Sequence, residues 1–327
     1  MKKLLMSFIF ICLFVGRTLA DEGMWLPLLL GKQVYDEMVK KGLKLTKEQL
    51  YQINKPSLKD AIIIFGGGCT GEIVSSKGLI FTNHHCGYDA IATASSVEKN
   101  YLRDGFYAKT LAEEINTTLS VQFLVRIDDV TKEVMDSLKG LTGSERIQKQ
   151  AAVLAAINKR LSNAEESIET RVSSLFKGNQ FLAFVYQRYS DIRLVGTPPE
   201  SVGKFGGDTD NWEWPRHTGD FSMFRVYADA NGNPAEYNKA NVPLKPKRHL
   251  PVNIKGVKEN DYAMILGYPG RTNRWMPAGG IEQNVKFGYP AWVEGAKTGM
   301  DEMRKFMDQS DALNLIYASK YASVANY

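Results

Sequence analysis

The chain has 327 residues, of which 44% are apolar and 11% aromatic, enough for a real core in one to two domains. Three of its 41 basic residues lie in the first 20 positions, which leaves 38 against 36 acidic ones. A charge balance that even gives no reason to invoke nucleic acid or an anionic membrane as a partner.

Residues 1–20, MKKLLMSFIFICLFVGRTLA, carry Lys2 and Lys3, an apolar run over 4–15, and Thr18-Leu19-Ala20 as a small-residue exit. That is the three-part pattern of a secretory signal peptide, and the run falls short of the roughly 20 residues a spanning helix needs. Cleavage after Ala20 predicts an exported protein without Cys12. Cys69 and Cys86 then remain, an even pair in a disulfide-permissive compartment, and they are expected to pair.

Beyond the leader, residues 33–54 read as helical. From Ala61 the texture changes to short β-rich runs, AIIIFGGG, CTGEIV and GLIFTN, the last two joined by the Gly-containing turn SSKG as in a hairpin. Residues 90–114 read as helical and 119–127 as a strand. A long tract over 131–184 reads as helix, its charges forming a solvated face. Strand texture returns at 191–197, at 220–228, in HLPVNI (249–254) and at 261–270. From about Ile281 the chain reads as helical to its end. Together these predict a mostly β fold, a small barrel with helical insertions around 90–114 and 131–184.

Histidine is scarce, four in the whole chain, and two of the four are adjacent in GLIFTNHHCG (78–87). A strand followed by Thr-x-His-His-Cys, with an earlier cysteine on the preceding strand, resembles the layout of chymotrypsin-fold serine proteases. In that layout the histidine immediately before the cysteine is the general base, which points to His85, with His84 as a supporting or partly exposed neighbour. A disulfide between Cys69 and Cys86 would fix His85 at the rim, as proton transfer requires. Adjacent histidines point apart and no HExxH or CxxC spacing accompanies them, so no metal site is expected.

A triad base needs a carboxylate to set its tautomer and stabilise the imidazolium. In the chymotrypsin order the aspartate follows the histidine, and Asp220 in HTGDFSMFRVY opens an apolar strand. Asp208 and Asp210 compete from a Gly-rich loop. After Asp220 the serines are Ser222, Ser310, Ser319 and Ser323, and none lies in a Gly-x-Ser-Gly setting. The nucleophile is expected to be missing from these residues.

SSKGLIFTNHHCGYDAI, GMWLP near the mature start and VGKFGGDTDNWEWPRHTGDFSMFRVYAD resemble the bacterial exported serine-type dipeptidyl peptidases, the family of dipeptidyl-peptidases 7 and 11. The resemblance implies a chymotrypsin-like double β-barrel with a large helical domain inserted between the barrels and the serine near the far end. It makes this sequence an N-terminal portion, with 21–280 the first part of the peptidase domain and 281–327 the start of the helical domain. It also implies that Asn211 and Trp212, with Asn326, hold the α-ammonium of a peptide with a free N-terminus. It implies no metal or organic cofactor, a periplasmic or cell-surface location, and a homodimer for the full-length protein. The competing readings are a non-catalytic peptide-binding or orphan fragment and a trypsin-like endopeptidase. The TDNW loop argues against the endopeptidase, which has no use for an amine anchor.

Overall fold

A computed structural model describes residues 24–207, 209, 213, 215–270 and 276–326. The signal segment, Asn211 and Trp212, as well as Asp208 and Asp210, lie outside the described residues.

The strands are β1 (Ile62–Phe65), β2 (Cys69–Ile73), β3 (Leu79–Thr82), β4 (Phe106–Tyr107), β5 (Ile115–Asn116), β6 (Val121–Asp129), β7 (Ile168–Leu175), β8 (Gln180–Tyr189), β9 (Ile192–Thr197), β10 (Ser222–Ala228) and β11 (Val242–Pro243). They form one sheet in the order β4-β9-β10-β3-β2-β1-β6-β8-β7, with β11 on β10 and β5 on β9. Every described ladder is antiparallel.

The expectation of a mostly β protein with a chymotrypsin-like barrel is overturned here. Among the described residues helical positions outnumber strand positions, and no ladder joins β7 to β4. Closure requires the two edge strands to pair, and the β4 edge is only two residues long. The sheet stays open.

Helix expectations also shift. In the 131–184 tract, helices occupy Thr131–Ser137 and Gly143–Leu161, and from Ile168 onward the chain forms β7 and the first half of β8. Ile168, Thr170 and Val172 put β-branched side chains at alternate positions, which suits a pleated strand better than a helix. Within 90–114 only Tyr101–Asp104 and the end of His84–Ala94 are α-helical, and β4 intervenes. Residues 249–254 and 261–270 are not strands.

The apolar pattern explains why the centre of the sheet is buried on both faces. In β1, Ile63 and Phe65 point into one cluster with Ile73, Ile80, Leu194, Phe224 and Val226, while Ile64 points the other way, to Leu124, Ile127, Leu182 and Tyr186. That is the period-two alternation of a strand. The first cluster is covered by helix His84–Ala94, through Ile91, and by helix Asp311–Ala325, through Ala318. A third cluster packs Val134, Leu138 and Ile157 on Phe181 and Ala183 of β8.

Candidate active site

The site begins where β3 runs out. Its last residue, Thr82, pairs with Ser222 at the start of β10. The chain then turns into helix His84–Ala94 at Asn83, while two residues ahead of Ser222 on the neighbouring strand lies Asp220. Carrying the antiparallel register two steps past the Thr82–Ser222 pair sets Asp220 level with His84. Residues 135 positions apart thus meet at one sheet end.

The contact is specific. His85 Nδ1 lies 2.8 Å from Asp220 Oδ2, and the His85 backbone N–H donates to Asp220 Oδ1 at 3.1 Å. The Asn83 side-chain amide donates to Asp220 Oδ2 at 3.1 Å. The Ser222 hydroxyl donates to the Asn83 carbonyl at 2.8 Å, which ties the helix entrance to β10. The helix can approach because residue 87 is glycine: a Cβ there would stand 2.7 Å from Ser222 Oγ and 2.9 Å from the Phe224 ring.

Exposure divides the pair by role. The Asp220 side chain is 9% exposed, that of His85 62%. Burial alone would raise the Asp220 pKa; the hydrogen bonds and charge of His85, with the Asn83 amide, outweigh it and hold the carboxyl below its ordinary value. The aspartate therefore stays ionised against Nδ1, leaving Nε2 as the nitrogen open to solvent. Tautomer and orientation are both fixed by one carboxylate.

Of the two roles the sequence left open for His84, a supporting or a partly exposed neighbour, the structure rules out exposure. It is 1% exposed, its buried Nε2 has no hydrogen-bond partner among the described residues, and its ring meets Tyr88 edge-on at 5.7 Å. Burial lowers its pKa to about 4, so it is neutral near pH 7. A Cβ on Gly203 would sit 2.5 Å from the His84 ring, so His84 underlies the short helix Glu200–Gly203. Tyr88 reinforces that junction by donating its hydroxyl to Glu200 at 2.9 Å.

Cys69, the first residue of β2, is bonded to Cys86 in the first turn of the same helix. The bond closes a loop with a sequence separation of 17, worth about 3 kcal/mol in the chain-entropy account. Asn326 lies exposed at the C-cap of helix Asp311–Ala325. Among the described residues no serine hydroxyl is hydrogen-bonded to His85. Ser222 is fully buried and committed to Asn83, and Ser310 caps the last helix.

Sequence reasoning missed Asn83 and Ser222 as supports of the pair. An asparagine directly before a helix is an N-cap signal, but its amide here serves the aspartate rather than the helix.

An exposed imidazole locked by a buried carboxylate is an arrangement suited to proton transfer in hydrolysis. The comparisons with known proteins give the family. Residues 20–327 match the model of the peptidase S46 family, and the chain belongs to it. It is 51% identical to dipeptidyl-peptidase 7 of Capnocytophaga gingivalis over all of this chain and 46% of that protein. It is 47% identical to the Asp/Glu-specific dipeptidyl-peptidase of Flavobacterium psychrophilum, over 98% of this chain and 45% of that protein. Among solved structures, DPP11 of Porphyromonas endodontalis in complex with the dipeptide Arg-Asp superposes with a TM-score of 0.86 at 42% identity, covering 94% of this chain and 45% of that one. The chain spans about half the length of the relatives it matches. No helix among the described residues is long and apolar enough to cross a membrane.

Proposed function

We propose that this chain carries the base and the orienting acid of an exported serine-type dipeptidyl aminopeptidase, which releases dipeptides from the free N-termini of peptides. His85 takes the proton from a serine hydroxyl, and Asp220 holds the imidazole in the right tautomer and stabilises the imidazolium. The substrate carbonyl passes through an acyl-enzyme, which water resolves with His85 returning the proton. The serine is not among these residues, so this chain alone does not hydrolyse peptides. The observation that carries the reading is the 2.8 Å contact between an exposed His85 and a buried Asp220, supported by membership of a peptidase family.

Substrate selection belongs to the same proposal. Asn211, Trp212 and Asn326 are assigned to the substrate's α-ammonium, because an asparagine carbonyl accepts from an ammonium and an indole face helps desolvate it. In domain terms, 21–280 forms the first part of the peptidase domain and 281–327 begins a helical domain. The full-length protein is proposed to be a periplasmic or surface homodimer.

The test joins this chain to the C-terminal half of the Capnocytophaga gingivalis relative and offers a peptide and its N-acetylated twin. Dipeptide release from the free peptide only, lost on His85→Ala, is the expected result; equal cleavage of both peptides would sink the aminopeptidase reading. The chain by itself is expected to resist a fluorophosphonate probe, and covalent labelling would reveal a nucleophile within it.

A further inference from the structure

Cys69, Cys86 and His85 each present a ligand atom, and these atoms all lie within 4.8 Å of one another. With the disulfide closed, both sulfurs are bonded to each other, and it is the thiolate that binds metals. We propose that reduction of Cys69–Cys86 turns this rim into a three-ligand site for a divalent cation of the zinc class, and that the cation withdraws His85 from proton transfer.

The donor set fits that class. Two sulfurs and one imidazole are ligands that a borderline-soft cation prefers, and three protein ligands leave a fourth tetrahedral position for water. With metal–sulfur bonds of about 2.3 Å the two sulfurs must stand roughly 3.8 Å apart. The Cα atoms, 6.1 Å apart, already leave room for that spread.

The fold holds the ligands without the disulfide. Cys69 is fixed by its ladder partner Phe65. The helix bearing His85 and Cys86 is fixed by the Ser222–Asn83 bond, by the Asp220 carboxylate on the His85 N–H, and by the close approach at Gly87. Asp220 engages Nδ1, so Nε2 is the nitrogen left to the cation. The result is a carboxylate–histidine–metal relay, the usual outer support of such sites.

The step balances with a phosphine as reductant. The phosphine gives two electrons to the disulfide and leaves as its oxide with the oxygen of water, whose two protons go to the sulfurs. The S–S bond breaks to two thiols. A divalent cation then binds both as thiolates and releases two protons. Cation binding does not depend on His85 being a base; only the loss of proton transfer rests on the proposed function.

The experiment uses the purified chain, reduced with a phosphine, desalted without oxygen and titrated with Co2+. Absorption reports thiolate coordination, Zn2+ is then added to displace the cobalt, and far-UV circular dichroism is recorded at each stage. The expected result is one equivalent of Co2+ with thiolate charge-transfer bands in the reduced chain and none in the oxidised chain. Affinity should fall at least tenfold in His85→Ala, with His85→Gln as the second variant should alanine disturb folding, and the bands should collapse in Cys69→Ser. Equal cobalt binding by oxidised and reduced chains, or unchanged affinity in a folded His85 variant, would overturn the proposal. Loss of the circular dichroism signature on reduction would overturn it too, since the ligands are then no longer held together. None of these readouts involves hydrolysis, so failure here is distinct from failure of the peptidase reading.

Discussion

Asp220 grips His85 twice, at the ring through Oδ2 and at the backbone N–H through Oδ1. The second contact makes Asp220 an N-cap supplied from the segment that leads into β10. His85 is in the first turn of helix His84–Ala94, where backbone N–H groups have no intrahelical acceptor, and Asn83 does not cap with its own side chain. A carboxylate at that end is also favoured by the helix dipole. One residue therefore anchors the helix and orients the imidazole.

Asp220→Asn keeps the shape but loses the charge and places an amide donor against another donor. The expected destabilisation is about 1.5–3 kcal/mol, as for hydrogen bonds to a charged group, measured as a shift of the urea midpoint at unchanged m-value. In the chimera with the C-terminal half of a relative, turnover should fall by a factor on the order of 10⁴, with fold retained. A variant with wild-type turnover would remove Asp220 from the chemistry.

The sequence discloses this pair unevenly. His85 and Asp220 are legible because strand texture leads into one and out of the other, and because their order matches a known layout. The burial of His84 is not legible, since adjacent residues in a helical first turn diverge and only the position of Gly203 decides which one is covered. The β7 strand hides for a different reason: SIETRVSS follows a helical run, and its charges read as a continued solvated face. Barrel closure is least accessible of all, because it depends on pairing between β4 and β7, residues far apart whose edges carry no local signal.

His84 should give the protein a specific acid sensitivity. Its folded pKa, about 4, lies below the ordinary value of 6.5 because burial disfavours the charged ring. The unfolded chain therefore binds the proton first, and stability is full above pH 6.5 and declines as pH falls toward 4. The contribution is about 3 kcal/mol. Urea denaturation across that window should show the slope in the wild type and a flatter curve in His84→Leu. Asp220, whose folded pKa is also lowered, adds stability that disappears only at lower pH, as pH falls through its folded value.

Lys59 and Asp60 form a pair that is almost wholly buried beside β6. Lys59 Nζ lies 2.7 Å from Asp60 Oδ1 and donates to the Leu124 carbonyl at 3.1 Å, while Asp60 Oδ2 accepts from the Ser57 N–H at 2.9 Å. Both side chains are under a tenth exposed. Asp60→Ala leaves an ammonium buried without its counter-charge and is expected to cost about 3–5 kcal/mol. Changing Lys59 to Met and Asp60 to Leu together should cost much less than Asp60→Ala, because no buried charge is left alone. Thermal melts of the three proteins decide the order, and equal losses would mean that the pair is not what the site depends on.

Gly203 and His84 test how the buried histidine is held. Alanine at 203 brings a methyl group to within 2.5 Å of the ring, closer than any real contact allows, and Val202 and Thr218 hem the same turn through their own contacts. Either the ring or the Glu200–Gly203 helix must move. Overpacking of this kind costs about 1–3 kcal/mol. If the clash with the ring is the cause, removing the ring should relieve it: Gly203→Ala is expected to be close to neutral in a His84→Ala background. The double-mutant cycle should then show a coupling of at least about 1 kcal/mol, well outside the few tenths seen for independent sites. Additive losses would instead place the strain in the backbone of the 200–203 turn, and His84 would be a passive filler beneath it.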